Sequence, residues 1–170
     1  MNKIYILLGT NLGDRFHQLE QARALLASQV GIITHASSIY QTAAWGVEDQ
    51  PAFLNQVVLI NSKFQAAECL ELTQGIEKQL GRIRKKKWGE RVIDIDLLYF
   101  NDDIIDIPNL HIPHPFIAER RFTLEPLAEI APEYVHPVYK KNNVYLLDNC
   151  RDELPVKKIS NDEPYRHWSD

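Results

Sequence analysis

Apolar residues in the first half of the chain follow patterns that predict a strand and two helices. Residues 4–8 form a continuous apolar run that ends at Gly9, as expected of a buried strand. From Asp14 to Gly31 the apolar residues recur every three or four positions, which predicts an amphipathic helix. The same spacing over residues 66–80 predicts a second helix.

Three further apolar segments, residues 32–40, 53–62 and 92–100, predict strands, and a long loop separates the first two. The predicted order is therefore strand, helix, strand, strand, helix, strand. This split arrangement is typical of α+β proteins with a ferredoxin-like sandwich. We expect that fold, with additions at the C-terminal end.

The last part of the chain carries weaker patterns. The run Ile112-Pro113-His114-Pro115 precedes a short predicted helix that starts at about Phe116. Beyond Val138 the sequence becomes polar, and residues 160–170 offer little to pack, so we expect a frayed tail there. We expect one domain over residues 1–159.

Composition narrows the class of protein. The chain has 170 residues, 45% of them apolar, and a net charge of −4, so it is not as a whole an electrostatic trap for nucleic acid or anionic membranes. No stretch approaches the roughly 20 apolar residues of a membrane span. Cys69 and Cys150 have no metal-ligand spacing and predict no disulfide. We expect a cytoplasmic monomer that binds neither nucleic acid nor membrane.

Cationic residues are concentrated in one segment of this acidic protein. Arg82, Arg84, three lysines, Trp88 and Arg91 lie within ten positions. A local cationic segment suits a compact polyanion such as a nucleotide phosphate tail. A solvated loop is the alternative interpretation.

Asp94 and Asp96 are the most informative pair. Side chains alternate along a strand, so these two carboxylates share one face while Ile93, Ile95 and Leu97 share the other. Their Cβ atoms are expected roughly 7 Å apart, from two rises of about 3.3 Å. Oxygen ligands so arranged favour Mg²⁺, which completes its shell with water and phosphate oxygens. A solvated strand face or an ion pair with the nearby arginines is the alternative.

Together, the acidic pair and the cationic segment predict phosphoryl transfer. That reaction needs positioning and neutralisation of negative charge more than covalent help. The chain has neither a G-x-x-x-x-G-K-[ST] loop nor a G-x-G-x-x-G fingerprint, which disfavours a P-loop enzyme or a dinucleotide oxidoreductase. The segment from Gly9 to Gly13 is interpreted as a turn.

A second group of residues suggests a flat, polar acceptor. Phe53 and Asn55 are two positions apart on a predicted strand and so share a face. A ring beside an amide can stack on a heterocycle and read its edge, and Phe122 could supply the opposite wall. Core packing is the alternative for either ring. His114 lies rigidly between two prolines and suits a phosphate contact or a structural role.

These motifs, taken in order, resemble the 6-hydroxymethyl-7,8-dihydropterin pyrophosphokinase family from Lys3 to about Val138. The resemblance rests on the ordered series Gly9-Thr10-Asn11-Leu12-Gly13-Asp14, Asp49-Gln50-Pro51 with Phe53-Leu54-Asn55, Gly81-Arg82, Trp88-Gly89-x-Arg91, Asp94-Ile95-Asp96-Leu97-Leu98, Ile112-Pro113-His114-Pro115 and Glu119-Arg120-Arg121-Phe122. It implies transfer of pyrophosphate from ATP to the pterin, with release of AMP, in tetrahydrofolate biosynthesis.

The resemblance also implies residue roles. Asp94 and Asp96 would hold two Mg²⁺ ions, with Arg82 and Arg91 beside them in catalysis. The pterin contacts would be Thr42, Ala43, Trp45, Phe53, Asn55 and Phe122. The ATP contacts would be Gln74, Glu77, Arg84, Trp88, Leu97, Ile112, His114 and Arg120.

Two departures from the family pattern stand out. Ala43-Ala44 replaces a segment that often contains proline, and His111 stands where threonine is common. Two other classes share the predicted fold: an RNA-binding module that would use residues 85–88, and a regulatory domain that binds nucleotide without turnover. Paired carboxylates on the sheet disfavour RNA.

Overall fold

The computed structural model describes residues 1–43, 51–81 and 93–159. The strands are β1 (Asn2–Thr10), β2 (Ile32–Ala36), β3 (Tyr40–Thr42), β4 (Phe53–Ser62), β5 (Asp94–Phe100), β6 (Ile105–Ile107), β7 (Leu110–Ile112) and β8 (Val156–Lys158). The helices are α1 (Arg15–Gln29), α2 (Ala66–Gln79), α3 (Arg121–Ile130) and α4 (Asn143–Asp148), with a 3₁₀ turn at Ile117–Glu119. Within these ranges, no helix has the length and apolar character needed to cross a membrane.

One antiparallel sheet organises the fold. Its order is β5-β1-β4-β3-β8, and β2 also pairs with β4. The first predicted strand therefore lies between the fourth and the third, as a ferredoxin-like sandwich requires, and the predicted α+β fold class is confirmed. A separate hairpin joins β6 to β7.

Two hydrophobic cores lie on opposite faces of this sheet. Alternate residues of β1 divide between them: Ile4, Ile6 and Leu8 pack in the first core, Tyr5 and Leu7 in the second. The first core also holds the buried side chains of α1 and α2, and the second holds those of α3 and α4. The additions after β5 thus cover part of a sheet face that a bare ferredoxin-like unit leaves open.

Local chemistry sets the ends of α1. The Asp14 carboxylate accepts the His17 N–H at 3.1 Å, which caps the helix as predicted. Gly31 follows the C-terminal end of the helix, where the chain passes close to β4. A Cβ at Gly31 would lie 2.1 Å from the Asn61 carbonyl oxygen, so close approach of two backbones requires glycine there.

The second predicted strand is two strands. Between the pairs Ala36–Val58 and Tyr40–Asn55, three residues of one chain segment oppose two of β4. The hydroxyl of Ser37 accepts the Val57 N–H at 3.0 Å and so replaces a ladder hydrogen bond. This irregularity separates β2 from β3.

The C-terminal part contains elements that the sequence patterns did not predict. The short helix expected from about Phe116 is the 3₁₀ turn followed by the ten residues of α3. Beyond Val138, α4 packs in the second core and β8 joins the main sheet beside β3. The expected frayed tail, residues 160–170, lies outside the described residues, as does Val92 at the predicted start of β5.

Candidate active site

Asp94 and Asp96 share one face of the edge strand β5. Both are partly exposed, whereas Ile95 and Leu97 between and after them are buried in the first core. In the register, Asp96 lies opposite Leu7, which belongs to the second core. The two carboxylates therefore stand on the α3 face of the sheet, side by side as the alternation predicted.

A single row across three strands joins the acidic pair to the amide of Asn55. Asp94 lies opposite Gly9, and Gly9 lies opposite Asn55. Two strand spacings put the Cα atoms of Asp94 and Asn55 about 10 Å apart. Since Gly9 has no side chain, the Asn55 amide can lie over it, and a Cβ there would be only 2.9 Å from Asn55 Oδ1.

The Asn55 side chain is held in place by its neighbours. Its Nδ2 donates to Thr42 Oγ1 at 3.2 Å, and both residues are less than 5% exposed. Phe53 lies opposite Thr42 and is partly exposed on the same face. The structure thus brings together Thr42, Phe53 and Asn55, three of the residues that sequence analysis assigned to the flat acceptor.

The start of α3 carries Phe122, which the sequence predicted as the wall opposite Phe53. Phe122 packs at the margin of the second core, on the carboxylate face of the sheet. The Arg120 guanidinium lies 4.6 Å from the ring centroid of Phe116 and 5.7 Å from that of Phe122. Such cation–π contacts hold the cation beside both rings.

His114 lies against the edge of β5. Its backbone N–H donates to the Leu98 carbonyl at 2.9 Å, two residues from Asp96. Its ring Nδ1 accepts the Phe116 N–H at 3.2 Å. Burial lowers the pKa of His114 to about 4, aided by the charges of Arg120 and His111. The imidazole is therefore neutral at pH 7, with its proton on Nε2.

The other residues that the family resemblance assigns to ATP differ in how exposed their side chains are. The side chains of Leu97 and Ile112 are 5% and 2% exposed in the first core, which leaves their backbones for any ligand contact. On α2, Gln74 is exposed and Glu77 is buried. Ala43 is exposed at the end of β3.

Five assigned residues lie outside the described ranges: Trp45, Arg82, Arg84, Trp88 and Arg91. The structure does describe both ends of the segment that contains Trp45. Thr42 is paired on two sides, with Phe53 and with Val156.

The glycine-rich turn after β1 has a role that its short motif did not reveal. Asn11 is fully buried, and its Nδ2 donates to the Pro51 carbonyl at 3.4 Å. Arg15 Nη1 donates to the Ala52 carbonyl at 2.7 Å. These bonds hold the chain where it enters β4, beside the row of Gly9 and Asn55.

A carboxylate that was not predicted from the sequence joins α3 to β3. Glu129 accepts hydrogen bonds from the Ser38 N–H at 3.0 Å, from the Ser38 hydroxyl at 2.7 Å and from the Tyr40 hydroxyl. Burial, this hydrogen bond and the Glu129 charge raise the pKa of Tyr40. The sequence carries no local signal for this contact, because the partners are about 90 positions away.

The donor set fits Mg²⁺ better than a transition metal. In the part of the chain that the structure describes, no three His, Cys, Asp or Glu side chains cluster as a metal site. Two partly exposed carboxylates match a hard cation that retains waters and binds phosphate oxygens. Asp94 and Asp96 can hold such an ion, whereas a closed structural site needs more protein ligands.

The family model and the relatives that match this chain are named for the same pyrophosphokinase. Residues 5–132 match the family model described as 7,8-dihydro-6-hydroxymethylpterin-pyrophosphokinase (HPPK). The 2-amino-4-hydroxy-6-hydroxymethyldihydropteridine pyrophosphokinase of Bacillus subtilis (strain 168) is 49% identical over 135 residues, which are 78% of this chain and 81% of that protein. The protein of the same name from Aquifex aeolicus (strain VF5) is 39% identical over 141 residues, 83% and 88% of the two chains.

Longer proteins match as well. The folic acid synthesis protein fol1 of Schizosaccharomyces pombe is 36% identical over 93% of this chain, which spans 21% of fol1. The crystal structure of Plasmodium falciparum HPPK-DHPS wild type with SDX-DHP has a TM-score of 0.68 and 19% identity over 87% of this chain. This chain spans 43% of that one, and at such identity the likeness supports the fold alone.

Proposed function

The chain belongs to the 7,8-dihydro-6-hydroxymethylpterin-pyrophosphokinase family, and we propose that it transfers pyrophosphate from ATP to 6-hydroxymethyl-7,8-dihydropterin. The products are AMP and the pterin pyrophosphate, in a step of tetrahydrofolate biosynthesis. The observation that supports the proposal is the row Asp94–Gly9–Asn55, in which a carboxylate that we assign to phosphate and an amide that we assign to the heterocycle lie on either side of a glycine.

Asp94 and Asp96 form the phosphate side of the site. Two side-by-side carboxylates repel a polyphosphate unless divalent cations lie between them. Two Mg²⁺ bound there would neutralise phosphate charge and align the oxygens for displacement. On this proposal the carboxylates select metal-bound ATP over the free nucleotide.

Asn55, Thr42, Phe53 and Phe122 form the acceptor side. The Asn55 amide is oriented by its bond to Thr42, so it presents a fixed edge to the heterocycle. Phe122, and Phe53 from the sheet, supply flat apolar walls for stacking. This arrangement holds the acceptor hydroxymethyl group toward Gly9 and the carboxylates, which lowers the entropic cost of reaching the attack geometry.

The acceptor oxygen bonds to the β-phosphorus as the bond from that phosphorus to the α,β-bridging oxygen breaks; AMP leaves with that oxygen, and the hydroxyl proton passes to water. His114 contributes a neutral donor, because its Nε2 carries the proton while Nδ1 accepts the Phe116 N–H. It can therefore bind a phosphate oxygen without adding charge. We assign Arg82 and Arg91 to charge neutralisation and the remaining ATP contacts to Gln74, Glu77, Arg84, Trp88, Leu97, Ile112 and Arg120, as the resemblance implies.

We further propose that residues 1–159 act as one pyrophosphokinase domain, supported by the pairing of β8 with β3. We propose a cytoplasmic monomer that binds neither nucleic acid nor membrane. Its free Cys69 and Cys150 suit a reducing compartment.

The deciding experiment incubates the protein with ATP, Mg²⁺ and 6-hydroxymethyl-7,8-dihydropterin and separates the nucleotides by chromatography. We expect AMP and pterin pyrophosphate in equal amounts, and no AMP when the pterin is omitted. Formation of ADP instead of AMP, or no pterin-dependent product, would overturn the proposed function.

A further inference from the structure

The first turn of α3 is capped by a residue far away in sequence. Arg120 occupies the position just before the helix, but its side chain makes no hydrogen bond that caps the helix. Instead, Asp152 Oδ2 accepts the backbone N–H of Arg121, the first residue of the helix, at 3.0 Å. The other oxygen, Oδ1, accepts the Leu154 N–H at 3.0 Å. Carboxylates stabilise a helix start because its N–H groups lack partners and carry partial positive charge.

The side chain of Arg121 also binds the segment around Asp152. Its Nε donates to the Asp152 carbonyl at 2.9 Å and its Nη2 to the Cys150 carbonyl at 3.1 Å. Together with the cap, these bonds make three hydrogen bonds between Arg121, which directly precedes Phe122, and the segment around Asp152. Movement of this segment therefore shifts the first turn of α3.

The same segment continues into β8 and reaches the other side of the acceptor site. Val156 pairs with Thr42, and Lys158 pairs with Tyr40. Lys158 Nζ also lies 3.8 Å from Glu129 Oε1, at the far end of α3. Thr42 orients the Asn55 amide, and Arg121 directly precedes Phe122. Residues 150–159 therefore contact the neighbours of both Asn55 and Phe122.

From these contacts we propose that Asp152 is a positioning residue for the acceptor, acting through Arg121 on Phe122. This inference rests on the proposed function, since it needs Phe122 to face the pterin. Asp152 lies beyond residue 132, where the family match ends. The role thus belongs to the C-terminal segment of this chain.

The test compares Asp152→Asn with Glu153→Gln. Both substitutions remove one negative charge, but Glu153 is exposed beside the cap, whereas Asp152 is partly buried in it. Asparagine retains one acceptor oxygen, so it can serve only one of the two N–H groups. We expect the KM for the pterin to rise about tenfold in Asp152→Asn, with the KM for ATP within about twofold of wild type. Glu153→Gln should match wild type in both constants.

A second variant and a direct binding measurement distinguish a loss of positioning from a folding defect. Arg121→Gln removes the side-chain donors to the Asp152 and Cys150 carbonyls and should give the same selective rise in pterin KM. Calorimetry of pterin binding, with a non-hydrolysable ATP analogue present, should show the same loss of affinity without turnover. Melting temperatures report whether each variant is folded.

The outcomes separate the two proposals. Wild type that makes AMP, beside an Asp152→Asn variant equal to Glu153→Gln, overturns the positioning role and leaves the function standing. Equal losses for ATP and pterin in folded Asp152→Asn and Arg121→Gln would indicate general loosening and also overturn it. Wild type without pterin-dependent AMP overturns both.

Discussion

Gly9 of β1 lies directly opposite Asn55 of β4, and the Asn55 amide occupies the space that a side chain at Gly9 would need. A Cβ built at Gly9 would lie 2.9 Å from Asn55 Oδ1. That distance is shorter than an ordinary van der Waals contact. The glycine therefore allows the amide to lie over the sheet between the proposed acceptor site and Asp94.

Substituting Gly9 with alanine should impair the acceptor site while leaving the fold intact. The close atom is the end of a side chain, so Asn55 can rotate away, but it then loses its bond to Thr42. We expect the KM for the pterin to rise at least about tenfold, since the amide contact is worth a hydrogen bond to a buried group. Steady-state kinetics with each substrate varied will test this. An unchanged pterin KM in folded Gly9→Ala would refute the placement of Asn55.

Substituting Asp96 with asparagine should abolish AMP formation with little change in thermal stability. The carboxylate is partly exposed, so its loss leaves no large cavity, but a neutral amide binds Mg²⁺ far less well. We expect turnover to fall by at least about a thousandfold and the melting temperature to stay within about 3 °C.

The matched control for Asp96 is Asp103→Asn, an exposed acid just after the same strand. It should retain wild-type turnover. Calorimetry of ATP binding with and without Mg²⁺ gives a second measurement: only Asp96→Asn should lose the Mg²⁺-dependent part. Retained turnover in Asp96→Asn would remove the metal assignment.

Substituting Gly31 with alanine should strongly destabilise the protein. The new Cβ would lie 2.1 Å from the Asn61 carbonyl oxygen, so backbone must move where α1 meets the sheet. We expect a loss of about 3 kcal/mol or more in the free energy of unfolding. Denaturant titration measures it.

Gly75→Ala is the matched comparison for Gly31. Gly75 lies inside α2, and a Cβ there would meet no atom within 4 Å beyond its chain neighbours and the backbone of its own helix, so alanine should stabilise the helix by roughly 0.5–1 kcal/mol. Equal effects of the two substitutions would contradict the close approach at Gly31.

His136 should make stability fall in mild acid. It is 3% exposed, its Nδ1 accepts the N–H groups of Val138 and Tyr139, and burial lowers its pKa to about 4. Between pH 4 and 6.5 the unfolded chain therefore binds a proton that the folded protein does not. The stabilising contribution is full above pH 6.5 and is lost as the pH falls through this window.

The measurement for His136 is the difference in unfolding free energy between wild type and His136→Asn, determined from pH 7.5 to 4.5. We expect wild type to lose roughly 2 kcal/mol relative to the variant over that range. Contributions from His114 are common to both proteins and cancel. A difference that does not vary with pH would show that the imidazole is already accessible to protons.

The sequence determined those features that depend on neighbours along the chain. Strand alternation placed Asp94 and Asp96 on one face, and helical spacing with Asp14 gave α1 within one or two residues. The order of elements was sufficient for the ferredoxin-like fold, since few topologies satisfy it. Residues carrying the family resemblance, such as Asn55 and Phe122, were also readable from the chain.

Only the tertiary structure decided what depends on pairing between distant segments. The register of β1 with β4 placed Gly9 beneath the Asn55 amide, and nothing near Gly9 in sequence specifies that register. The polar C-terminal segment gave no periodic signal, yet its backbone completes the sheet beside Thr42, and Asp152 caps α3 from 31 residues away. Hydrogen bonds between backbone groups can form with almost any side chain attached, so the sequence carries little trace of them until the fold brings the strands together.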